Sequence, residues 1–520
     1  MTKRSMWRVF FVGLALLSLA ASALASTRSA NPSNYRQLMR TLQPGDTMIL
    51  APGQYPPLAI TNLNGRLDAW ITVTGPSSGP PALIAGEAGS NTVEIVNSSY
   101  VAIESLRINS RNIPGAFGIS AKGGLQNHTH DIRIQGNVLV GQGGNQQTDG
   151  ISTKIPTWGW IICNNQILQA GTGIYLGNSD GTQPFVHGLI ENNLIQDTTG
   201  YDMEIKDQVS IPAIAGMPTE PTSTIIRNNV FIKDDRPSPD GDRPNVLVGA
   251  FPSSGIGSLN RYEIYGNYFY HNHREALFQA SGRISLHDNI FVDAPADYAA
   301  VVLRRQNFPL QLAYVYNNTV FTAGKGIYFG SAALTGDAVI GNLVFASLPI
   351  SGPISRSSDN VTSPLVAADA YVAGASVELG AMDFYPHSRK CEGAPIDLGS
   401  FRGDVDYNLD FNGVRKDKPK GAIVFRGAYA GMGVNPGWRL QAAIKPAEAG
   451  STTTAAVQRP SSFSSRANRM QTDAQTTTTT LATSPLAGCG SDHPGGRSCF
   501  CDANADAAGL LLWCTAAPQH

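Results

Sequence analysis

The densest run of ionisable residues in the chain is Tyr201-Asp202-Met203-Glu204-Ile205-Lys206-Asp207-Gln208. Read as a strand with Met203 and Ile205 facing a core, its period of two sets Asp202, Glu204 and Lys206 together on the opposite face. The same parity places Lys154 (after Ile151 and Thr153), Tyr175 (between Ile174 and Leu176), Arg304 (after Val301 and Leu303) and Tyr328 (between Ile327 and Phe329) on outward positions of neighbouring strands. A surface carrying Lys, Arg, Tyr and carboxylates suits an acidic sugar chain. Asp202, Glu204 and Asp207 also offer the paired carboxylates of an acid/base hydrolase. A solvated, salt-bridged sheet face without turnover would use the same residues.

A second cluster is His271-Asn272-His273-Arg274-Glu275, directly after Tyr268-Phe269-Tyr270. His271 and His273, two apart, can face one way and ligate a metal or act as acid and base, or they can form a polar corner of the chain. Asp234-Asp235-Arg236 through Asp240-Gly241-Asp242-Arg243 is the longest acidic loop. It lacks the ligand register and terminal Glu of an EF-hand, so it reads as a solvated insertion. No phosphate loop, dinucleotide fingerprint or nucleophile elbow is present in the sequence.

The elements that position these groups are set out by a repeat. Asn recurs as Asn137, Asn165, Asn193, Asn229, Asn267, Asn289, Asn318 and Asn342, at spacings of 28, 28, 36, 38, 22, 29 and 24. Three residues before each Asn sits an aliphatic residue: Ile134, Ile162, Ile190, Ile226, Ile264, Leu286, Val315 and Val339. Two residues after it sits an apolar one, and immediately before it only Gly, Asn or Asp, the types that tolerate a left-handed backbone. A constant core with variable loops describes a parallel β-solenoid in which the Asn residues bridge one coil to the next. Ser33 followed by Tyr35, Leu38, Met39 and Leu42 predicts a short helix over 34–42, N-capped by Ser33, as the N-terminal cap. Residues 380–446 read as a C-terminal cap.

Composition agrees with many short strands and tight corners: 54 Gly and 32 Pro, with only 15 % charged residues. The 38 Lys and Arg balance 39 Asp and Glu, which gives no basic excess for nucleic acid. Lys3, Arg4 and Arg8, the apolar stretch from Val9 to Leu24, and Ala23-Leu24-Ala25 read as a signal peptide over 1–25, which implies a secreted, periplasmic or cell-surface protein without stable membrane insertion. Residues 26–445 form the solenoid domain with its caps, and the Ser/Thr-rich stretch 446–488 is a linker. The tail 489–520 carries Cys489, Cys499, Cys501 and Cys514, which suit disulfides after export. Cys163 and Cys391 stand alone in the body of the chain.

Pro44-Gly45-Asp46-Thr47-Met48-Ile49-Leu50, Gly53-Gln54-Tyr55, Ile71-Thr72-Val73-Thr74-Gly75 and Val101-Ala102-Ile103-Glu104-Ser105-Leu106 resemble the opening coils of secreted right-handed parallel β-helix proteins of the pectate-lyase-like superfamily. The resemblance is nearest the chondroitinase B and alginate lyase branch. Asp406-Tyr407-Asn408-Leu409-Asp410-Phe411-Asn412-Gly413 through Gly421-Ala422 is similar to closing segments of such proteins, so the resemblance spans roughly residues 40–425. It implies an all-β right-handed parallel β-helix and β-elimination on a uronate-containing polysaccharide. Glu204-Ile205-Lys206 is similar to the segment that carries the Lys base of that branch, which makes Lys206 the base, with Arg304 as a second catalytic residue. Lys154, Tyr175, Tyr328, His271 and His273 would then contact substrate. Glu204 and Asp207 favour a charged Lys206, and Ca²⁺ on Asp202 and Glu204 would reverse that field. The branch places an Arg on the following coil, where this chain has Asn245-Val246-Leu247-Val248-Gly249; Arg243, Arg304 and Arg305 are candidate substitutes. The reading is thus of a monomer acting on an acidic polysaccharide or other glycan. A glycoside hydrolase or epimerase on the same fold, and a non-catalytic glycan-binding envelope or matrix protein, stay open.

Overall fold

A computed structural model describes residues 25–123, 128–272, 274–293, 298–416 and 424–447. The expected signal segment up to residue 24, His273, residues 448–488 of the expected linker and the Cys-containing tail lie outside the described residues. Among those described, three parallel sheets of 15, 12 and 11 strands run along the molecule. Each coil passes through all three in turn, as in Arg261–Tyr265, Tyr268–Tyr270 and Phe278–Ala280. We refer to them in that order as the first, second and third sheets.

The repeat read from the sequence is the register of the coils. In the first sheet Ile134, Ile162, Ile190, Ile226, Ile264, Leu286, Val315 and Val339 pair in succession. In the second, Leu139, Ile167, Ile195, Phe231, Phe269, Phe291, Val320 and Val344 do the same. All sixteen are fully buried. Stacking one coil on the next removes each apolar row from water, which no single coil can do.

The bend between these two sheets needs a left-handed residue, and Gly136, Asn164, Asn192, Asn228, Gly266, Asp288, Asn317 and Gly341 supply it with φ between 52° and 70°. The following Asn closes the corner. The Asn165 Oδ1 accepts from the Asn137 backbone N–H (3.0 Å) and from its Nδ2 (3.1 Å), while the Asn165 Nδ2 donates to the Ile134 carbonyl (2.9 Å). This arrangement repeats to Asn342 and continues one coil beyond the eight positions of the sequence repeat, to Asn360. Amide groups that a tight corner would bury without partners are thereby paired.

Near the N-terminus the helix is shorter than expected, Tyr35–Met39, with Asn34 rather than Ser33 at its N-cap position. The Ser33 hydroxyl is committed to the Asn31 side chain at 2.6 Å. Tyr35, Met39 and Leu42 join the core.

The described residues from Leu365 to Lys445 lie along the flank. Ala368, Val372, Met382, Phe384, Cys391, Phe411, Tyr429 and Leu440 cover the outer side chains of the second sheet, Leu194, Val230, Ile232, Tyr268, Ile290, Val292 and Phe321, in a second apolar core. Polar contacts fix this strap to the corners. The Lys445 ammonium donates to the Asn228 side chain and the Gly266 carbonyl, and the Lys416 ammonium meets Asp288 at 2.5 Å. Asp404 bonds Arg261, Ser285 and Tyr316, and Phe401 stacks on Tyr316 at 4.1 Å. Phe401 thus ends a ring stack that runs from Tyr265 through His287 and Tyr316. Cys163 and Cys391 are free and buried, and burial pushes both thiols up to about 12.

Candidate functional site

The outer face of the third sheet carries the charged residues singled out by parity. Met203 and Ile205 turn inward and are buried, so Glu204 and Lys206 point out. Register sets Tyr175 beside Glu204, Ser152 beyond Tyr175, and Leu247 and then Gln279 on the other side. Two residues further along each strand the outward row reads Lys154, Gly177, Lys206 and Gly249. Gly177, at φ 92°, leaves room between the two lysines, since a Cβ there would stand 3.3 Å from the Lys206 Cβ.

The result is a compact cluster. The Lys206 ammonium meets Glu204 Oε1 at 3.0 Å, and the Lys154 ammonium meets Asp149 Oδ2 at 3.4 Å. Both lysines share the Tyr175 ring, Lys154 at 3.5 Å from its centre and Lys206 at 5.4 Å, while the Tyr175 hydroxyl bonds Ser179 at 3.0 Å. The carboxylates are sunk, with Glu204 and Asp149 side chains 4 % and 3 % exposed against 18 % and 26 % for their lysines. The face therefore presents ammonium groups to solvent. Burial pushes the Asp149 carboxyl up to about 6, opposed by Lys154 and aided by the charge of Glu204.

Asp202 departs from the expectation. It is wholly buried; its Oδ1 accepts from the Thr198 hydroxyl at 2.8 Å, and its Oδ2 has no hydrogen-bond partner. Burial raises this carboxyl against the pull of Lys233, whose own ammonium is buried, lowered to about 8, and donates to the Arg243 carbonyl. Asp202 and Glu204 therefore do not open onto a shared cation site. One is buried within range of Lys233 and the other is capped by Lys206. Among the described residues no cluster of three or more His, Cys, Asp or Glu is placed to hold a metal ion. A donor set of this kind does not fit Ca²⁺, which takes ~6–8 oxygens.

Along the same sheet a cavity of about 300 Å³ is lined by Tyr201, Asp242, Arg243, Leu247, Glu275, Gln279, Arg304, Arg305 and Asn307, among others. The three arginines that sequence reading left as alternatives thus share one cavity. Arg304 follows a strand three ladders from that of Lys206, about 14 Å at the usual strand spacing, so the two do not form one contact group. Asn307 bridges part of that span by donating to Asp207 at 3.2 Å. Tyr328 lies one strand beyond, under the Lys325 ammonium at 4.8 Å.

The acidic loop is no free insertion. Gln146 holds it through the Gly241 carbonyl and the Asp240 N–H, and its Asp242 and Arg243 wall the cavity. His271 sits at the turn after the second sheet, its Nε2 2.6 Å from Asp235, and is not among the cavity's lining residues. Sequence reading missed the role of Asp149 because alternation with Ile151 and Thr153 places it inside. It missed Lys233 because nothing in the local pattern connects it with Asp202.

No known protein-family model and no curated protein matches the chain. Among solved structures it is similar to the PL6 family alginate lyase AlyGC, at 14 % identity and a TM-score of 0.42 over 65 % of this chain and 51 % of that one. It is also similar to the PL6 family polysaccharide lyase Pedsa3628 from Pseudopedobacter saltans (12 %, TM-score 0.42, 65 % and 93 %). A third is the mannuronan C-5 epimerase AlgE6 A-module of Azotobacter vinelandii (14 %, TM-score 0.35, 62 % and 91 %). The chain spans about half the length of AlyGC. Likenesses of this degree assign no reaction. The succession of three parallel sheets along one chain identifies this protein as a parallel β-helix.

Proposed function

We propose that the protein is an exported enzyme that binds a uronate-containing polysaccharide along its third sheet and cleaves it by β-elimination. The observation that carries this reading is the Lys154–Tyr175–Lys206–Glu204 cluster, continuous along the sheet with a cavity walled by three arginines. Cations spread along a groove match a chain of carboxylates, and an aromatic ring beneath them can face a sugar.

In this mechanism Lys154 receives the carboxylate of the reacting uronate, which lowers the cost of placing negative charge on the neighbouring carbon. Lys206 takes the proton from C5. The electron pair left behind forms the C4=C5 double bond as the C4–O4 bond breaks, and the proton passes from the Lys206 ammonium to the leaving oxygen. Glu204, 3.0 Å away, stabilises the ammonium between the two transfers. Arg304, with Arg243 and Arg305, serves a sugar several residues along the chain. Neutralisation of the carboxylate is given to Lys154 rather than to Ca²⁺ on Asp202 and Glu204, because Asp202 is buried against Thr198 and Glu204 is paired with Lys206.

A hydrolase is the second reading, favoured by one observation: Asp149, held near 6, lies within electrostatic reach of Glu204, a pair of the kind that divides acid and base roles. The two are separated by assaying the full chain on polymannuronate, polyguluronate, polygalacturonate and glycosaminoglycans, reading unsaturated-sugar absorbance and new reducing ends. Unsaturated product that Lys206→Ala abolishes supports elimination. Reducing ends without unsaturation would overturn it in favour of hydrolysis.

A further inference from the structure

Lys154 is a half-buried cation that shares the Tyr175 ring with Lys206, and its ammonium is held at one point by two contacts of different kinds. Beneath it lies the Tyr175 ring, 3.5 Å from the ammonium, with Phe117 at 5.5 Å; beside it lies Asp149 Oδ2 at 3.4 Å. Asp149 is 2 % exposed, and this oxygen makes no hydrogen bond. A carboxylate buried to this degree is costly to the fold. It fixes the direction of a side chain that would otherwise sample many rotamers in solvent.

We propose that Asp149 is a positioning residue, which holds the Lys154 ammonium over Tyr175 so that Lys154 receives a uronate carboxylate one sugar at a time. The inference rests on the uronate reading above and deepens it by naming the residue that sets the receiving cation. The charged groups acting on Asp149 are Lys154 of its own coil, which favours the carboxylate, and Glu204 two strands along, which opposes it; Ser152 adds a hydrogen bond. Because burial lifts the Asp149 carboxyl to about 6, acidification through that value neutralises it and frees Lys154 to turn away. Uronate carboxylates stay ionised over the same interval, so the loss of affinity would belong to the protein.

The test is calorimetric titration of the full chain with tetrasaccharides of mannuronate, guluronate and galacturonate, at about pH 8 and about pH 5. Wild-type affinity is expected to fall on acidification with a midpoint near 6. Asp149→Asn is expected to weaken binding by about tenfold at the higher pH and to flatten the profile, with Asp149→Glu restoring part of it. Lys154→Met should lose a similar factor without touching the buried carboxylate, and the double variant should lose no more than either alone. Wild-type affinity and pH dependence in Asp149→Asn, or additive losses in the double variant, would overturn the proposal. Binding with these effects but no unsaturated product would overturn elimination and leave Asp149 in its role. Absence of binding to every tetrasaccharide would overturn both.

Discussion

The Lys154 ammonium lies 3.5 Å from the centre of the Tyr175 ring, and Lys206 approaches the same ring from the strand on the other side, at 5.4 Å. Lys154 and Lys206 belong to coils two apart, so one aromatic side chain aligns two cations along the direction in which a polymer would lie. Tyr175→Phe keeps the ring and loses the bond to Ser179. It is expected to bind a uronate tetrasaccharide within about twofold of wild type, whereas Tyr175→Leu loses a cation–π contact of ~0.5–2 kcal/mol and weakens binding by about 3–10-fold. Titration calorimetry of the two variants checks this.

Lys206→Ala should lower kcat on the productive polysaccharide by at least about 100-fold, the usual loss when a general base is removed. Lys206→Arg should not rescue it, because a guanidinium does not give up its proton in the working range. Initial rates of unsaturated-product formation decide the matter, and a Lys206→Arg variant with near-normal kcat would remove Lys206 from the base role.

Acidity should act on stability through the buried carboxyls. Burial holds Asp149 and Asp293 at about 6 in the folded chain, above the ordinary value of 3.8. Between those limits the folded state binds more protons than the unfolded one, so these two groups add stability as pH falls from 6 and cost it as pH rises. Asp149→Asn is therefore expected to match or exceed wild type by ~1–3 kcal/mol at about pH 8, an advantage that fades by about pH 4. Urea unfolding at a series of pH values reads this difference directly.

The Asn ladder predicts a large cost for a small deletion. Asn229 accepts from the Asn193 N–H and Nδ2 and donates to the carbonyls of Ile190 and Arg227 and to the Asn267 Oδ1. Asn229→Ala leaves several of these groups buried and unpaired, at about 2–4 kcal/mol. Asn229→Asp keeps the acceptor but loses the donors, and should also be destabilised. The midpoint of chemical unfolding is the measurement.

The flanking strap offers a change remote from the groove. Asp404→Ala removes the partner of Arg261, Ser285 and Tyr316 under the Phe401 ring, and is expected to cost ~2–4 kcal/mol. Limited proteolysis should then cut first between residues 365 and 445. Polysaccharide cleavage by the intact variant should stay near wild type, because Asp404 anchors the strap to the first sheet and the candidate site lies on the third.

The sequence by itself determined the coils, because a repeat in which one residue bends, the next pairs and the flanking apolar residues fill the core can be satisfied only by stacking. It also determined which side chains of the third sheet face outward, since parity follows from Met203 and Ile205. The covered flank was present as a signal in Val230-Phe231-Ile232, Tyr268-Phe269-Tyr270 and Ile290-Phe291-Val292, which do not alternate because both faces of the second sheet are buried. What lies over them came only with the tertiary structure, because the covering residues sit far along the chain. Tertiary structure also decided the depth of each charge. Asp202 and Glu204 share an outward parity, yet Asp202 is sealed in near Lys233 while Glu204 stays at the groove beside Lys206. Parity assigns a face, whereas burial and the identity of the nearest ammonium depend on loops of other coils, which local spacing does not encode.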